Sequence, residues 1–428
     1  MSVPSAPLTL NDTGIDQAVL SDLTLRAAYT VQQFNTEWAA RRLHLPQQVV
    51  SVLLEQLRSE LLLDVLGSAG PFGFRYSISN RGRERAARLF DICGYVGPAP
   101  VSLDSYSAML DRQAEGFSEV TPDRVAKCLE SLVLREGDRE LAGLAASSGR
   151  SLFIDGPPGN GKTSLGRFLH DVRQGDLWIP HCLDFQGSVI RLFDPQCHVE
   201  ANDGLEEPRP IDRRWVKIRR PLVVAGGEMT LDSCDLTWSR SLRYYEAPLQ
   251  LKANGGTFLI DDFGRQRVDP HELLNRWIIP LEHKFDYLTL QTGQKIHVPF
   301  SLMLVVATNL DVNSVTDPAF LRRMGYRMYL DGPSPERYSE IFRRYAERCG
   351  VAVPSDLLDR LLERYRVEGR ELRGCEPRDL IERARDVCRF HNATLDLSAS
   401  VIDLAWSGFF GSGPPGNPQV ISDPPAGR

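Results

Sequence analysis

"SLFIDGPPGNGKTSLGRFL", residues 151–169, is the stretch on which the fold turns. Leu152, Phe153 and Ile154 form a short apolar run of strand length, and from Ser164 onward the spacing is helical. Between them, Gly156, Pro157, Pro158, Gly159, Asn160, Gly161, Lys162 and Thr163 fit the pattern G-x-x-x-x-G-K-[ST] in the strand-to-helix context it requires. Glycines there let successive backbone N–H groups turn inward around phosphate oxygens. The helix start, with Ser164, adds the positive end of its dipole. Lys162 is placed for the β- and γ-phosphates and the Thr163 hydroxyl for Mg²⁺, so ATP and Mg²⁺ are the expected ligands.

Downstream order tests that expectation. "GGTFLIDDFGRQR", residues 255–267, runs an apolar strand into Asp261 and Asp262. Asp261 is the candidate metal-side acid and Asp262 the candidate base. A further apolar run, "LMLVVATN", ends at Asn309, a polar group able to orient an attacking water. "AFLRRMGYR" (319–327) brings paired arginines, and "GCEPRDL" (374–380) sets Arg378 near the start of a helix. In this order and spacing the segments resemble the AAA+ ATPases over roughly residues 120–395. The resemblance implies an α/β fold: a parallel-sheet P-loop core with a C-terminal helical lid. It also implies roles: Walker A at 156–163, Walker B at Asp261 and Asp262, sensor 1 at Asn309, arginine fingers at Arg322 and Arg323 (Arg323 slightly favoured), and sensor 2 at Arg378. A finger acts on the neighbouring subunit, so a homo-oligomeric ring, a hexamer, is implied. A narrower resemblance, carried by "IPHCLDFQGSVIRLFDP", "DRRWVKIRRPLVVAGGEMTL", "YEAPLQLKANGGTFLIDDFGRQR" and "LLNRWIIPLE", is to a group of bacterial winged-helix AAA+ proteins. That group supplies a domain order but no substrate.

The second acid of such a strand is usually glutamate, and here it is one methylene shorter. A base must lie within hydrogen-bond reach of its water, directly or through one more. Asp for Glu withdraws the carboxylate by roughly 1.5 Å on a fixed backbone, a displacement that matters for positioned groups. Their ordinary pKa values differ by only about 0.4, so reach decides. Three readings stand: Asp262 is the base, Glu228 in "AGGEMTL" supplies the acid instead, or the site turns over so slowly that it serves as a nucleotide-gated scaffold. The intact Lys162, Asn309, Arg322, Arg323 and Arg378 favour a working, slow ATPase.

N-terminal to this core, residues 15–100 carry the winged-helix pattern. Helical spacing over 16–31 and 35–43 is followed by "PQQVVSVLLEQLRSEL", with Val49, Val50, Leu53, Leu54 and Leu57 on one face. Two strands around a Gly-rich tip and a closing helix, "NRGRERAARLFDIC", complete it. Its candidate recognition helix carries Arg58 against Glu55 and Glu60, a poor balance for neutralising DNA phosphates. A protein-docking role is therefore preferred to DNA binding. "GYVG" at 94–97 is expected as a joining turn, 101–149 as a helical linker and the start of the AAA+ module, 150–331 as the core and 332–410 as the lid. Residues 1–14 and 411–428 are expected to be disordered.

The chain has 428 residues, a formal charge of −6 and eight cysteines without a C-x-x-C pair. Those values point to a cytoplasmic protein with reduced thiols rather than a coat for nucleic acid. No apolar run is long enough to span a membrane. His181-Cys182 and Cys197-His198 are expected to be packing side chains rather than a metal site. "DRRWVKIRR" (212–220) places five cations around a tryptophan and is expected as a solvated strand edge or a contact for an acidic protein. Trp238, Tyr244 and Tyr245 fit either core packing or a grip on polypeptide. The expected activity is thus ATP hydrolysis driving remodelling of a protein partner. A DNA-directed regulator or loader is the alternative.

Overall fold

The computed structural model describes residues 3–68, 74–115, 120–201, 210–312 and 318–411. The N-terminal unit opens with helix α1 (Gln17–Tyr29), strand β1 (Phe34–Asn35), and helices α2 (Thr36–Leu43) and α3 (Gln47–Ser59). Strands β2 (Leu63–Ser68) and β3 (Phe74–Ile78) and helix α4 (Asn80–Ile92) complete it. Asn35 caps α2 by accepting from the Trp38 N–H at 2.8 Å, and the sheet order is β1-β3-β2, antiparallel. The order is three helices, a three-stranded antiparallel sheet and a closing helix. The apolar face of α3 is buried as its spacing requires, with Leu53 and Leu54 fully enclosed. The tip of the wing lies outside the described residues.

Beyond helix α5 (Leu103–Glu115), the core is a five-stranded parallel sheet. Its strands are β4 (Leu152–Asp155), β7 (Leu222–Ala225), β8 (Thr257–Ile260), β9 (Met303–Ala307) and β10 (Tyr326–Tyr329). The antiparallel pair β5 (Asp176–Pro180) and β6 (Trp215–Arg219) precedes β7 in the chain. The core order is β7-β8-β9-β4-β10, with Ile260 opposite Val306, Val305 opposite Leu152 and Arg327 opposite Phe153. Strands β8 and β9 are buried along their whole length, which is why they read as unbroken apolar runs rather than alternating ones. Helix α6 (Lys162–Val172) lays Leu165 and Leu169 against Leu152, Leu259 and Val305 on one face. Helix α7 (Pro270–His283) covers the other with Trp277 against Phe258 and Phe300. The core is therefore a parallel α/β sheet covered by helices on both faces. Helices α8 (Pro335–Arg348), α9 (Leu357–Val367), α10 (Glu376–Phe390) and α11 (Ala399–Phe410) follow, packed around Tyr338, Phe342, Tyr365 and Trp406. No helix among the described residues is long and apolar enough to cross a membrane.

Two expectations change. Residues 3–14, expected to be disordered, are held by the body. Ser5 bridges Ile211, Ala6 N–H donates to Pro210 O at 3.0 Å, and Asp212 N–H donates to Pro4 O at 2.9 Å. Proline-rich composition suggested a tail because it could not show the edge that receives it. In the segment read as linker and start of the core module, Ala142 and Ala145, from the helix Glu136–Ser148, pack against α6 residues. Nor is "DRRWVKIRR" a solvated edge. Strand β6 pairs with β5 and buries Trp215 and Ile218, while Arg214 and Asp212, each 4% exposed, form a bidentate ion pair. Arg214 also donates to Thr13 O and Pro100 O, tying the N-terminal arm to the body. Tyr244 and Tyr245 are buried in two core clusters, so packing is their role. Tyr95 of "GYVG" is buried and donates to Pro98 O, as a joining turn would require. Residues 412–428 lie outside the described residues.

The ion pair gives a stability prediction. Asp212→Ala leaves the Arg214 guanidinium buried without its carboxylate, which should cost about 3–5 kcal/mol. Urea unfolding followed by tryptophan fluorescence should show an early-melting N-terminal arm and a lowered midpoint. A midpoint equal to that of wild type would contradict the arm's dependence on this pair.

Candidate functional site

The carboxyl ends of β4, β8 and β9 meet at one edge of the sheet, and the expected site residues converge there. Gly156 leaves β4 at φ +138°, pressed so close to Leu330 O that an added Cβ would lie 2.3 Å from it. Helix α6 starts at Lys162. Lys162 is 6% exposed, and its Nζ donates to Gly156 O and Pro157 O, each at 2.7 Å. Burial lowers its pKa against the opposing pull of Asp262, Asp261 and Asp155. An ammonium held in that balance is poised for an additional anion. Asp155, at the end of β4, is pushed upward by its own burial.

The Thr163 hydroxyl lies 2.9 Å from both carboxylate oxygens of Asp261, joining the phosphate loop to the end of β8. Asn309 Nδ2 donates to Asp262 Oδ1 at 2.7 Å, joining the end of β9 to the second acid. Asp262 sits at φ +48°, in the left-handed region that aspartate tolerates better than most side chains. The turn that holds it there is pinned by Gln266, whose Nε2 donates to Asp261 O at 3.0 Å and to Asp262 O at 3.3 Å. Gln266 was not singled out in the sequence, where only its place in "GRQR" marks it. Glu228 turns back on its own loop and accepts from Gly226 N–H at 2.9 Å. It has no bond to either aspartate among the described contacts.

The paired arginines lie elsewhere. Arg322 and Arg323 precede β10, whose first residue Tyr326 sits opposite Leu152, the first residue of β4. They are therefore at the amino edge of the sheet, while the loop, Asp261 and Asn309 are at the carboxyl edge. Strands of four or five residues separate those edges by roughly 13–17 Å. Arg323 is half-buried and donates to Glu282 at 2.8 Å. Arg322 is exposed.

The lid reaches the phosphate loop through a segment other than the expected one. Arg378 is exposed and bonded to its neighbour Asp379 at 3.0 Å. Contact with the loop comes from 373–375: Gly374 N–H donates to Asn160 Oδ1 at 3.0 Å and Cys375 N–H to Gly159 O at 2.8 Å. A Cβ at Gly159, which has φ +83°, would stand 2.7 Å from Cys375 Sγ and 3.7 Å from Arg373 Cβ. Arg373 is thus the lid cation nearest the loop. Several arginines precede Gly374 in "GRELRGCEPRDL", and spacing alone does not choose among them. The remaining histidine–cysteine pairs are absorbed by packing. Cys182 Sγ contacts Tyr95 OH, and His198 is fixed between Asp194 N–H and Lys252 O.

Set beside known proteins, residues 334–408 match a family described as Domain of unknown function (DUF8689). No curated protein matches the chain. Among solved structures, it overlaps the Thermotoga maritima RuvB Holliday junction branch migration motor at 16% identity and a TM-score of 0.38. That overlap covers 65% of this chain and 70% of that one. It also overlaps NtrX from Brucella abortus in complex with ATP at 14% identity and a TM-score of 0.40, covering 75% and 62%. Overlaps this loose assign no activity.

The close approach of lid and loop makes Gly159 the sensitive position. Gly159→Ala adds left-handed strain and collides with Cys375, so it should lift the 373–375 segment. Hydrogen exchange at residues 372–376 should speed by about tenfold or more, the equivalent of a local loss near 1.4 kcal/mol. Unchanged protection there would contradict the docking.

Proposed function

We propose that this chain is an ATP-hydrolysing AAA+ protein that works as a homo-oligomeric ring and remodels a protein partner. The observation that carries the reading is the Asn309–Asp262 bond: a strand-end amide grips the shorter acid at the loop where phosphates would lie. In this reading Asp262 is the base and Asn309 orients it and the attacking water. Lys162 and the backbone N–H groups of 156–164 hold the phosphates. Thr163 and Asp261 offer hard oxygen donors side by side, the chemistry Mg²⁺ requires, and the bound ion would neutralise phosphate charge. Proton transfer belongs to the chain's own residues: Asp262 accepts from water while Asn309 holds it in place. The Asp262 backbone, turned into the left-handed region and pinned by Gln266, redirects the side chain and so offsets its missing methylene.

Arg322, exposed at the opposite sheet edge, is out of reach of its own site and suits a neighbour's. It replaces Arg323 as the preferred finger, because Arg323 is engaged with Glu282. Arg373, beside Gly159, is preferred to Arg378 as the lid cation that reads nucleotide. The winged helix is read as a docking module for protein. The leading turn of α3 is tied to its own chain by one hydrogen bond, Gln48 Nε2 to Leu8 O at 3.0 Å, and its exposed face offers Glu55 as well as Arg58.

Two substitutions test the arrangement. Lys162→Ala should abolish binding of a fluorescent ATP analogue, and retained affinity would remove 156–163 as the phosphate loop. Arg322→Ala should leave that affinity within about twofold while lowering turnover by about 10³-fold or more, the scale of loss when an arginine finger is removed. Normal turnover would contradict a site shared between subunits.

A further inference from the structure

Three consecutive backbone N–H groups in the turn before α10 each have a different acceptor. Arg373 N–H donates to Glu376 Oε2 at 3.1 Å, Gly374 N–H to Asn160 Oδ1 at 3.0 Å and Cys375 N–H to Gly159 O at 2.8 Å. The last two acceptors belong to the 156–163 loop, and the first belongs to the lid itself. Glu376 therefore holds the turn while the turn holds the loop. The link between β10 and α8 packs against the same turn: a Cβ added at Gly332 would lie 2.8 Å from Leu372 O.

Glu376 is only 4% exposed. Burying a carboxyl is unfavourable unless donors meet it. Tyr365 OH donates to the same Oε2 at 2.8 Å, and the Tyr365 and Tyr338 hydroxyls lie 3.1 Å apart. One oxygen thus gathers the turn at 373 and Tyr365 of α9, with Tyr338 of α8 behind it. Burial pushes the Glu376 carboxyl upward, against the pull of Tyr365, the Arg373 N–H and the cations of Arg373 and Arg370. Well-packed apolar residues often stabilise a core as well as buried charged groups do, so packing alone does not call for a carboxyl here. What it adds is direction. It takes the first N–H of the turn and leaves the next two aimed at Asn160 and Gly159. The Arg373 side chain follows, with its Cβ and Cδ 3.7 and 3.8 Å from a Cβ placed at Gly159.

We propose that Glu376 is a positioning residue of the nucleotide site. It fixes the 373–375 turn and the Arg373 side chain over the phosphate loop, and so sets how long nucleotide stays bound. It acts through Arg373 and takes no part in proton transfer. This role rests on the reading of 156–163 as a nucleotide loop and of Arg373 as the lid cation.

Release of a fluorescent ATP analogue from the full-length protein, followed by stopped flow, tests it. Glu376→Leu should speed release by at least about tenfold, the loss expected when a hydrogen bond to a charged group is removed. Glu376→Gln, which keeps an acceptor oxygen for the Arg373 N–H, should stay within about threefold of wild type. In an Arg373→Ala background, Glu376→Leu should add no more than about twofold, because the side chain it positions is gone. Wild-type release from Glu376→Leu would overturn the proposal. So would an equal acceleration in both backgrounds, or a Glu376→Gln as fast as Glu376→Leu, since either marks a general loosening of the lid. If Glu376→Leu lowers the helical circular dichroism signal, Tyr365→Phe takes its place, deleting one donor without changing shape. Release about threefold faster is then expected, and an unchanged rate would overturn the proposal. Analogue binding to wild type that survives Lys162→Ala would instead defeat the nucleotide-loop reading, and this role with it.

Discussion

The hydrogen bonds from Thr163 to Asp261 and from Asn309 to Asp262 are the constraint on which the rest of the structure depends. They fasten the phosphate loop to β8 and β8 to β9 at the edge where β4 also ends. Each strand is held on both sides by the register of the parallel sheet, so the polar groups at its end have little freedom. That is the physical value of building a site on strand ends: the burial of Leu259 and Val305 fixes polar side chains two to four residues away. The same sheet puts Arg322 at the opposite edge, roughly 13–17 Å from the strand-end site of its own chain.

The lid adds a second constraint. Backbone donors at Gly374 and Cys375 seat on Asn160 and Gly159, so a change in loop conformation must be felt by α10. Behind that seat, buried Glu376 accepts from Tyr365 OH at 2.8 Å, and Tyr365 contacts Tyr338. A displacement of the 373–375 segment would therefore be carried into the core of the helical unit rather than lost in a loose turn. This offers a route by which a change in the 156–163 loop is passed to α8 to α11.

Much of this was legible in the sequence, for identifiable reasons. The glycine and lysine spacing of 156–163 is dictated by phosphate geometry, and the unbroken apolar runs ending at Asp261 and Asn309 follow from a sheet covered on both faces. What escaped reading depends on partners distant in the chain. Composition could not show that Pro4 and Ala6 meet the 210–212 segment, or that Arg214 in a cation-rich strand folds onto Asp212. Local spacing marked Arg378, whereas packing brought Arg373 to the loop. Of two adjacent arginines the sequence slightly favoured Arg323, yet Glu282, some forty residues earlier, holds that one.

Steady-state phosphate release measured against protein concentration, with Asp262→Asn beside wild type, tests the central claim most directly. If the shorter acid is the base of a site completed between subunits, release per wild-type chain rises with concentration and Asp262→Asn falls to the Lys162→Ala background while still binding ATP. Equal release from wild type and Asp262→Asn would contradict the account, because the acid held by Asn309 would then have no part in the chemistry.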